Sequence, residues 1–281
     1  PGVVDVPLAT PNRTADLAVI QVIPEGGRNE EPTINLLHEI RDNRTTLEER
    51  YDITNLRVTG MTAATIDLSE YLGRALVPFG FVVVGLSLVL LTIVFRSIAV
   101  PIKATLGYIL SVLGAFSAVV VVFQWGWGAD ILEVAVLGPV LNFLPIILMG
   151  LLFGLAMDYE VFLVSRMRED YAHTHDARRS VVTGYTAGVR VVAAAATIMI
   201  AVFAAFIPKG DAIVKPLAVG LAVGVFIDAF IVRMTLVPAV MSLLGDTAWK
   251  LPRGLARHMP TLDVEGISLI DHLEHEEWTQ R

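Results

Sequence analysis

Four charged residues stand deep inside long hydrophobic runs of this 281-residue sequence, where charged side chains are uncommon. They are Asp158, Glu160, Asp228 and Arg233. A charge near the centre of a membrane-spanning helix costs about 2.5–3.5 kcal/mol on insertion scales, so such residues usually serve a purpose. Carboxylates in a poorly hydrated environment bind and release protons, and a nearby arginine neutralises them. These residues are the candidates for chemistry in this chain.

Each of the two aspartates follows a glycine by four residues. The two segments are Gly154-Leu-Ala-Met-Asp158 and Gly224-Val-Phe-Ile-Asp228. Positions i and i+4 share a helix face, so each carboxylate stands beside a gap where another backbone can approach. We therefore expect both acids to face the packed, polar interior of a helix bundle.

Structural and functional roles remain open for these charges. Arg233 can form an ion pair with Asp228 or Glu160 that only reduces the cost of burying them. Asp158 has no obvious cation partner in the sequence, so we expect it to exchange protons near neutral pH and to serve as a proton relay. The neighbouring Tyr159 points about 100° away around the helix.

The elements that must position these residues are predicted membrane-spanning helices. Hydrophobic residues make up 54% of the chain and charged residues only 17%. The apolar residues are concentrated in runs of about twenty, the length that crosses a bilayer core of about 30 Å. The predicted spans are Ala75–Phe95, Lys103–Phe123, Pro139–Ser165, Ala187–Ile207 and Pro216–Leu244.

Basic residues in the connecting loops predict the orientation of these spans. Four arginines lie in the loop between the third and fourth spans, whereas Gln124–Gly138 contains no lysine or arginine. Cytoplasmic loops are enriched in basic residues, so the N-terminal segment is predicted outside and the C-terminal tail in the cytoplasm. Trp125 and Trp127 then lie at the outer interface, where they would serve as anchors.

The predicted fold class is an all-α membrane bundle of about five transmembrane helices with a partial α+β extracytoplasmic segment at the N-terminus. Residues 1–74 are predicted to belong to an extracytoplasmic domain, 75–245 to form the bundle, and 246–281 to be an acidic cytoplasmic tail. Strands at 16–24 and 55–62 are expected to flank a helix from Pro32 to about Leu47. A β-α-β unit of this size buries too little surface to be stable alone. We therefore interpret the chain as a piece of a longer protein.

Several functional classes find no support in the sequence. The net charge of −7 argues against nucleic acid as a partner. There is no cysteine for thiol chemistry, and no nucleotide-binding P-loop, GxSxG or HExxH motif. His173 and His175 are better explained by a solvated turn than by a metal site. No cofactor and no metal are predicted.

The segment GLLFGLAMDYEVFLVSRMRED at 150–170 resembles the signature of the MMPL family within the RND superfamily. The segments FRSIAVPIKA at 95–104, VAAAATIMIAVFAAF at 192–206 and GLAVGVFIDAFIVRMTLVPAVMSLLGDTAWKLP at 220–252 agree with it. The resemblance covers about residues 59–266.

This resemblance implies a bacterial plasma-membrane exporter of lipids or other hydrophobic molecules, driven by the proton gradient. It implies two repeats of six helices, of which this chain is the end of the second repeat, so the N-terminal repeat would be a partner. Asp158 and Tyr159 match the relay pair of the family, whereas Glu160, Asp228 and Arg233 match its polar membrane core. The remaining partners would be the lipid bilayer and the hydrophobic substrate.

Other functions stay open at this point. Two aspartates on separate spans suggest an intramembrane aspartyl protease. Such enzymes share sequence motifs around their aspartates, however, and these motifs are absent here. A membrane protein that senses or scaffolds lipids without proton flux is a further alternative. The isolated segment could also lack activity by itself. No enzymatic activity is predicted.

Overall fold

The protein is described from a computed structural model that covers residues 2–14, 16–27, 30–134, 137–138, 140 and 142–250. Its chain divides into two compact units that meet between Ala75 and Leu76. The assignment of the first unit to an extracytoplasmic domain stays a prediction.

The N-terminal unit begins with a two-stranded antiparallel hairpin. Strand β1 spans Val3–Pro11 and pairs with β2, Ala18–Pro24, from Val3 opposite Pro24 to Pro11 opposite Ala18. The β2 strand confirms the prediction at 16–24, whereas sequence reasoning missed β1. Nearly every residue of the hairpin is exposed, so these strands are held by their mutual hydrogen bonds and bury little apolar surface.

The second predicted strand, at 55–62, is wrong. Its first residues have no regular secondary structure, and helix α3 begins at Met61. The expected β-α-β unit is therefore absent from the described residues. A strand forms only where a partner satisfies its backbone groups, and β1 and β2 satisfy each other instead.

Two short helices follow the hairpin. They are α1, Glu31–Asp42, and α2, Arg44–Tyr51, so the predicted single helix breaks at Asn43. Leu37 of α1 packs with Ala63 and Ile66 at the start of α3, which spans Met61–Phe95. The guanidinium of Arg41 forms a paired contact with the Asp67 carboxylate. These contacts tie α1 to the first turns of α3.

Among the described residues, five helices are long and apolar enough to cross a membrane, as predicted. After α3 come α4, Ala99–Phe123; α5, Leu144–Thr174; α6, Ala177–Phe206; and a composite last helix from Val214 to Trp249. Each helix is longer than its predicted span, because hydrophobicity measures the bilayer crossing and not the whole helix, although α5 begins five residues after the predicted start at Pro139. The long α3, for example, begins 14 residues before its predicted span.

The connection between α5 and α6 is much shorter than the predicted loop. Helix α5 continues to Thr174, and α6 begins at Ala177. His175 adopts a left-handed backbone conformation, and the Asp176 carboxylate accepts hydrogen bonds from the backbone N–H groups of Arg178 and Arg179. Asp176 is thus an N-cap that begins α6 directly after the turn.

The composite last helix changes its hydrogen-bond pattern in the middle. An α-helix, α7, spans Val214–Phe226, a π-helix spans Ile227–Leu236, and α8 spans Val237–Leu244. Pro238 has no N–H to bond the carbonyl four residues earlier, that of Met234. The hydroxyl of Tyr185 on α6 donates to this carbonyl at 3.1 Å and so stabilises the irregular segment.

The last described residues pack onto the bundle. A 3-10 helix, Gly245–Trp249, buries Ala248 and Trp249, and the Trp249 ring stacks on Tyr171 with centroids 5.4 Å apart. The hydroxyl of Ser97 donates to the Ala248 carbonyl. The bundle therefore extends past the predicted boundary at 245. The remainder of the predicted tail, 251–281, lies outside the described residues.

Candidate functional site

The guanidinium of Arg233 is the centre of a buried charged cluster in the middle of the membrane helices. Its Nε donates to Asp228 Oδ2 at 2.7 Å, and its Nη1 donates to Glu160 Oε2 at 3.1 Å. Its Nη2 donates to the backbone carbonyl of Ala156 on α5. All three nitrogens of the side chain are thus satisfied, as a buried arginine requires.

A second cation completes the cluster. The Nζ of Lys103, on α4, lies 2.6 Å from Glu160 Oε1, and both side chains are buried. Glu160 is only 2% exposed and stands between Lys103 and Arg233. Lys103, Arg233, Glu160 and Asp228 together carry two positive and two negative charges. This balance reduces the cost of holding them at membrane depth.

The π-helix is what brings Asp228 and Arg233 together. Five residues in a regular α-helix turn through about 500°, which would leave these two side chains about 140° apart. In a π-helix the hydrogen bonds join residues five apart, so the two side chains lie on one face. Ser111 of α4 approaches the same carboxylate, with its Oγ 3.4 Å from Asp228 Oδ1. The irregular segment therefore shapes the cluster.

Tyr159 borders this cluster. Its hydroxyl donates to Met199 Sδ on α6 at 3.4 Å, and its ring faces the Arg233 guanidinium at 5.7 Å from Cζ to the ring centroid. That distance permits a cation–π contact. Among the described residues, Met199 and not a carboxylate is the hydrogen-bond partner of the Tyr159 hydroxyl.

Asp158 does not lie where the sequence suggested. We expected both aspartates in the packed interior, but Asp158 is exposed on the outside of the five-helix bundle, whereas Asp228 is buried. Two residues correspond to about 200° around a helix, so Glu160 and Asp158 necessarily face opposite sides of α5. The described part of the chain places no cation in ion-pair contact with the Asp158 carboxylate.

Asp158 belongs to a continuous exposed stripe along α5. The stripe consists of Ile147, Leu151, Gly154, Asp158 and Phe162. Asp158 stands about 21 Å along the helix from Leu144, near the middle of α5. A charged carboxylate in the middle of a membrane helix costs free energy unless water hydrates it, a proton neutralises it or another polar surface contacts it.

The two glycines that precede the aspartates differ in the same way. A Cβ added at Gly224 would lie 2.7 Å from Leu152 Cδ2 and 3.2 Å from Ala115 Cβ, whereas one added at Gly154 would meet nothing within 4 Å. Gly224 thus allows α7 to approach α4 and α5 closely. Gly154 leaves an open gap beside Asp158.

Sequence reasoning missed Lys103 and Ser111 as members of this site. The predicted span begins at Lys103, which would leave this lysine at the membrane edge, but α4 begins at Ala99 and carries Lys103 into the bundle. Glu160 was the available signal, since a buried carboxylate needs a compensating cation. Ser111 gave no signal, because a lone serine in an apolar helix is common.

Residues 6–264 match the family model described as the MMPL family. The chain belongs to the MMPL family. Among curated MMPL relatives, it is 44% identical over 268 residues to Membrane protein YdfJ of Bacillus subtilis, an alignment that covers 95% of this chain and 36% of that protein.

Two other MMPL relatives are named as exporters. The Mycolic acid-containing lipids exporter MmpL11 of Mycolicibacterium smegmatis is 38% identical over 209 residues, covering 74% of this chain and 22% of that protein. The Trehalose monomycolate exporter MmpL3 of Mycobacterium tuberculosis is 36% identical over 188 residues, covering 66% of this chain and 20% of that protein. The chain therefore spans about a third or less of each of these MMPL relatives. It is a multi-pass membrane protein of a family that includes lipid exporters.

Proposed function

We propose that this chain forms the C-terminal part of a transporter that exports lipids or other hydrophobic molecules at the expense of the proton gradient. We place it in the bacterial plasma membrane with the N-terminal unit outside and the tail in the cytoplasm. The names of the exporter relatives support the class of substrate. The loop charges support the proposed orientation, and the acids of the membrane unit support proton coupling.

The observation that supports proton coupling is the contrast between Asp158 and the cluster beside it. Both carboxylates of the cluster are neutralised by Arg233, and Glu160 is also neutralised by Lys103. Among the described residues, Asp158 is the remaining carboxylate at this depth, and it lies exposed in an open stripe. Asp158 has no ion-pair partner among the described residues, and we propose that proton transfer through this carboxylate couples export to the gradient.

Tyr159 and the cluster would pass this change to the rest of the bundle. Tyr159 adjoins Asp158 in the chain and places its ring on Arg233. Arg233 in turn joins α5 to the π-helix. Protonation of Asp158 would alter how the exposed stripe of α5 packs against another polar surface, for which the first repeat implied by the family resemblance is our candidate. The cluster would keep α4, α5 and the last helix moving as one body.

A lipid-sensing or scaffolding protein without proton flux is the second candidate. The exposed stripe would then serve only for helix association. An aspartyl protease fits less well, because the two aspartates have different environments. Asp228 is buried and ion-paired with Arg233, whereas Asp158 is exposed. A catalytic dyad requires two carboxyl groups that share a proton.

The decisive experiment substitutes Asp158→Asn in the complete transporter. We expect gradient-driven export of a fluorescent lipid from cells to be lost while the amount of protein in the membrane is unchanged. Asp42→Asn is the matched control, because it makes the same chemical change at an exposed acid of helix α1.

Normal export by the Asp158→Asn transporter would refute the relay role. If the unsubstituted transporter moves no protons when lipid is added, the sensing or scaffolding function is favoured instead.

A further inference from the structure

The connection between α4 and α5 is an ordered loop. The backbone N–H of Trp127 donates to the Val121 carbonyl at 3.0 Å, and that of Val134 donates to the Ala129 carbonyl at 3.0 Å. Ala129, within the loop, is buried. The first bond holds the loop against the end of α4, and the second closes a turn within the loop.

Lys215, at the start of the last helix, fastens this loop. Its side chain is buried, and its Nζ donates to the carbonyls of Leu132 and Glu133 at 2.7 and 3.0 Å. Carbonyls at the end of a helical turn lack backbone donors, and a lysine ammonium is one of the groups that caps them. Glu133 itself adopts a left-handed conformation, with φ of 50°, which ends the turn.

The loop held in this way presents large apolar side chains outward. Trp125 is 69% exposed, Trp127 is 75% exposed, and Ile131 is 86% exposed. Gly126 and Gly128 have φ angles of 79° and 75°, a region that glycine adopts easily and that allows the chain to turn between the tryptophans. Such side chains on an ordered loop are unfavourable in water, so they indicate a contact surface.

Trp125 and Trp127 are the expected interface anchors, and we propose that Lys215 is the positioning residue that holds residues 125–131 as a membrane-contact surface at the headgroup–acyl boundary of the bilayer. Tryptophan is enriched at this boundary because its ring is apolar and its N–H is polar. The loop connects two membrane-spanning helices, so it must lie near a membrane surface. The apolar side chains of the loop therefore contact lipid.

The charges of the loop specify which membrane surface this is. Consecutive helices alternate in direction, so the loop lies at the opposite side of the membrane from the α5–α6 turn with its arginines. The loop itself contains no lysine or arginine between Gln124 and Gly138. By the positive-inside rule this surface is the outer leaflet.

A single spin label tests the contact, since the chain has no cysteine to compete for the label. We would introduce Ile131→Cys into the full chain, reconstitute it in phosphatidylcholine vesicles, and measure collisions with oxygen and with a water-soluble nickel reagent. Ile20→Cys, in the hairpin of the N-terminal unit, is the matched control because Ile20 is 61% exposed. We expect the oxygen-to-nickel ratio to be several-fold higher at 131 than at 20.

The role of Lys215 is tested in the same labelled protein by Lys215→Met. Loss of the ammonium should increase the mobility of the label at 131 and decrease its oxygen-to-nickel ratio. Lys209→Met is the control, because it removes the same charge from an exposed lysine near the same membrane surface. Gly128→Ala provides a second variant that strains only the loop and should shift the label in the same direction.

A label at 131 that is as accessible to nickel as the label at 20 would overturn the membrane contact. If Lys215→Met changes the label no more than Lys209→Met does, Lys215 does not position the loop. If the Lys215→Met chain fails to insert, Gly128→Ala decides whether the conformation of the loop sets the contact, and an unchanged label there would count against the proposal.

Discussion

Asp158 and Glu160 are two acids on one helix that experience opposite environments. Glu160 is buried and contacts both Lys103 and Arg233, whereas Asp158 is exposed and has no ion-pair partner among the described residues. Their separation of two residues places them on opposite faces of α5. The comparison shows that the charge of a residue at membrane depth does not define its role, because the groups around it decide whether it is held in an ion-paired cluster or left exposed.

The largest effect is expected where the cluster loses its central cation. Arg233→Met leaves Asp228 without its cation and Glu160 with only Lys103, and removing one partner of a buried pair costs about 3–5 kcal/mol. Denaturant titration of the protein in mixed micelles would measure the loss. Arg190→Met, at an exposed arginine of α6, should change stability by no more than about 0.5 kcal/mol. Equal effects of the two variants would mean that the cluster does not stabilise the bundle.

The next largest loss of stability is expected at Glu160 and not at Asp158. Glu160→Gln removes the carboxylate between Lys103 and Arg233 and should cost about 3 kcal/mol in the same titration. Asp158→Asn should leave stability within about 0.5 kcal/mol. The comparison between the acids fails if Asp158→Asn destabilises the protein as much as Glu160→Gln does.

The two glycines extend this comparison to packing. Gly224→Ala places a Cβ against the buried Leu152 and should destabilise the bundle by about 1–2 kcal/mol, since overpacking exceeds the gain in helix propensity. Gly154→Ala meets no neighbour in the described chain and should leave stability unchanged or raise it. Lost export with normal stability in the Gly154→Ala transporter would indicate that the stripe packs against another helix in the complete protein.

The smallest effect concerns the segment that shapes the cluster. Tyr185→Phe removes the hydroxyl that donates to the Met234 carbonyl and should cost about 1 kcal/mol. Tyr51→Phe, at an exposed tyrosine of the N-terminal unit, is the control and should have no measurable effect. An unchanged Tyr185→Phe protein would show that the π-helix does not depend on this hydrogen bond.

The membrane helices were predictable because a bilayer demands runs of about twenty apolar residues, and few other structures need them. Their ends were not. Helices α3 and α5 continue through polar residues such as Asp67 and Arg168, where helix propensity and local contacts decide. The strand at 55–62 failed for a related reason, since strand composition predicts a strand only when a partner strand is available.

Part of the site followed from the cost of burial. Charges as deep as Glu160, Asp228 and Arg233 must neutralise one another, so their pairing was foreseeable. The side that a residue faces was harder to foresee. A glycine four residues before an acid occurs at both aspartates, yet one marks a close helix contact and the other an open gap.

The π-helix between Ile227 and Leu236 has a consequence for drawing the last helix as a wheel. Each residue in this segment turns the chain by less than the 100° of an α-helix, so the angular positions of residues before and after it do not continue a single series. The wheel positions of α8 side chains such as Met241 must therefore be counted from the end of the π-helix and not from the start of α7. Interface residues transferred from a relative with a regular helix at this point would be assigned to the wrong side.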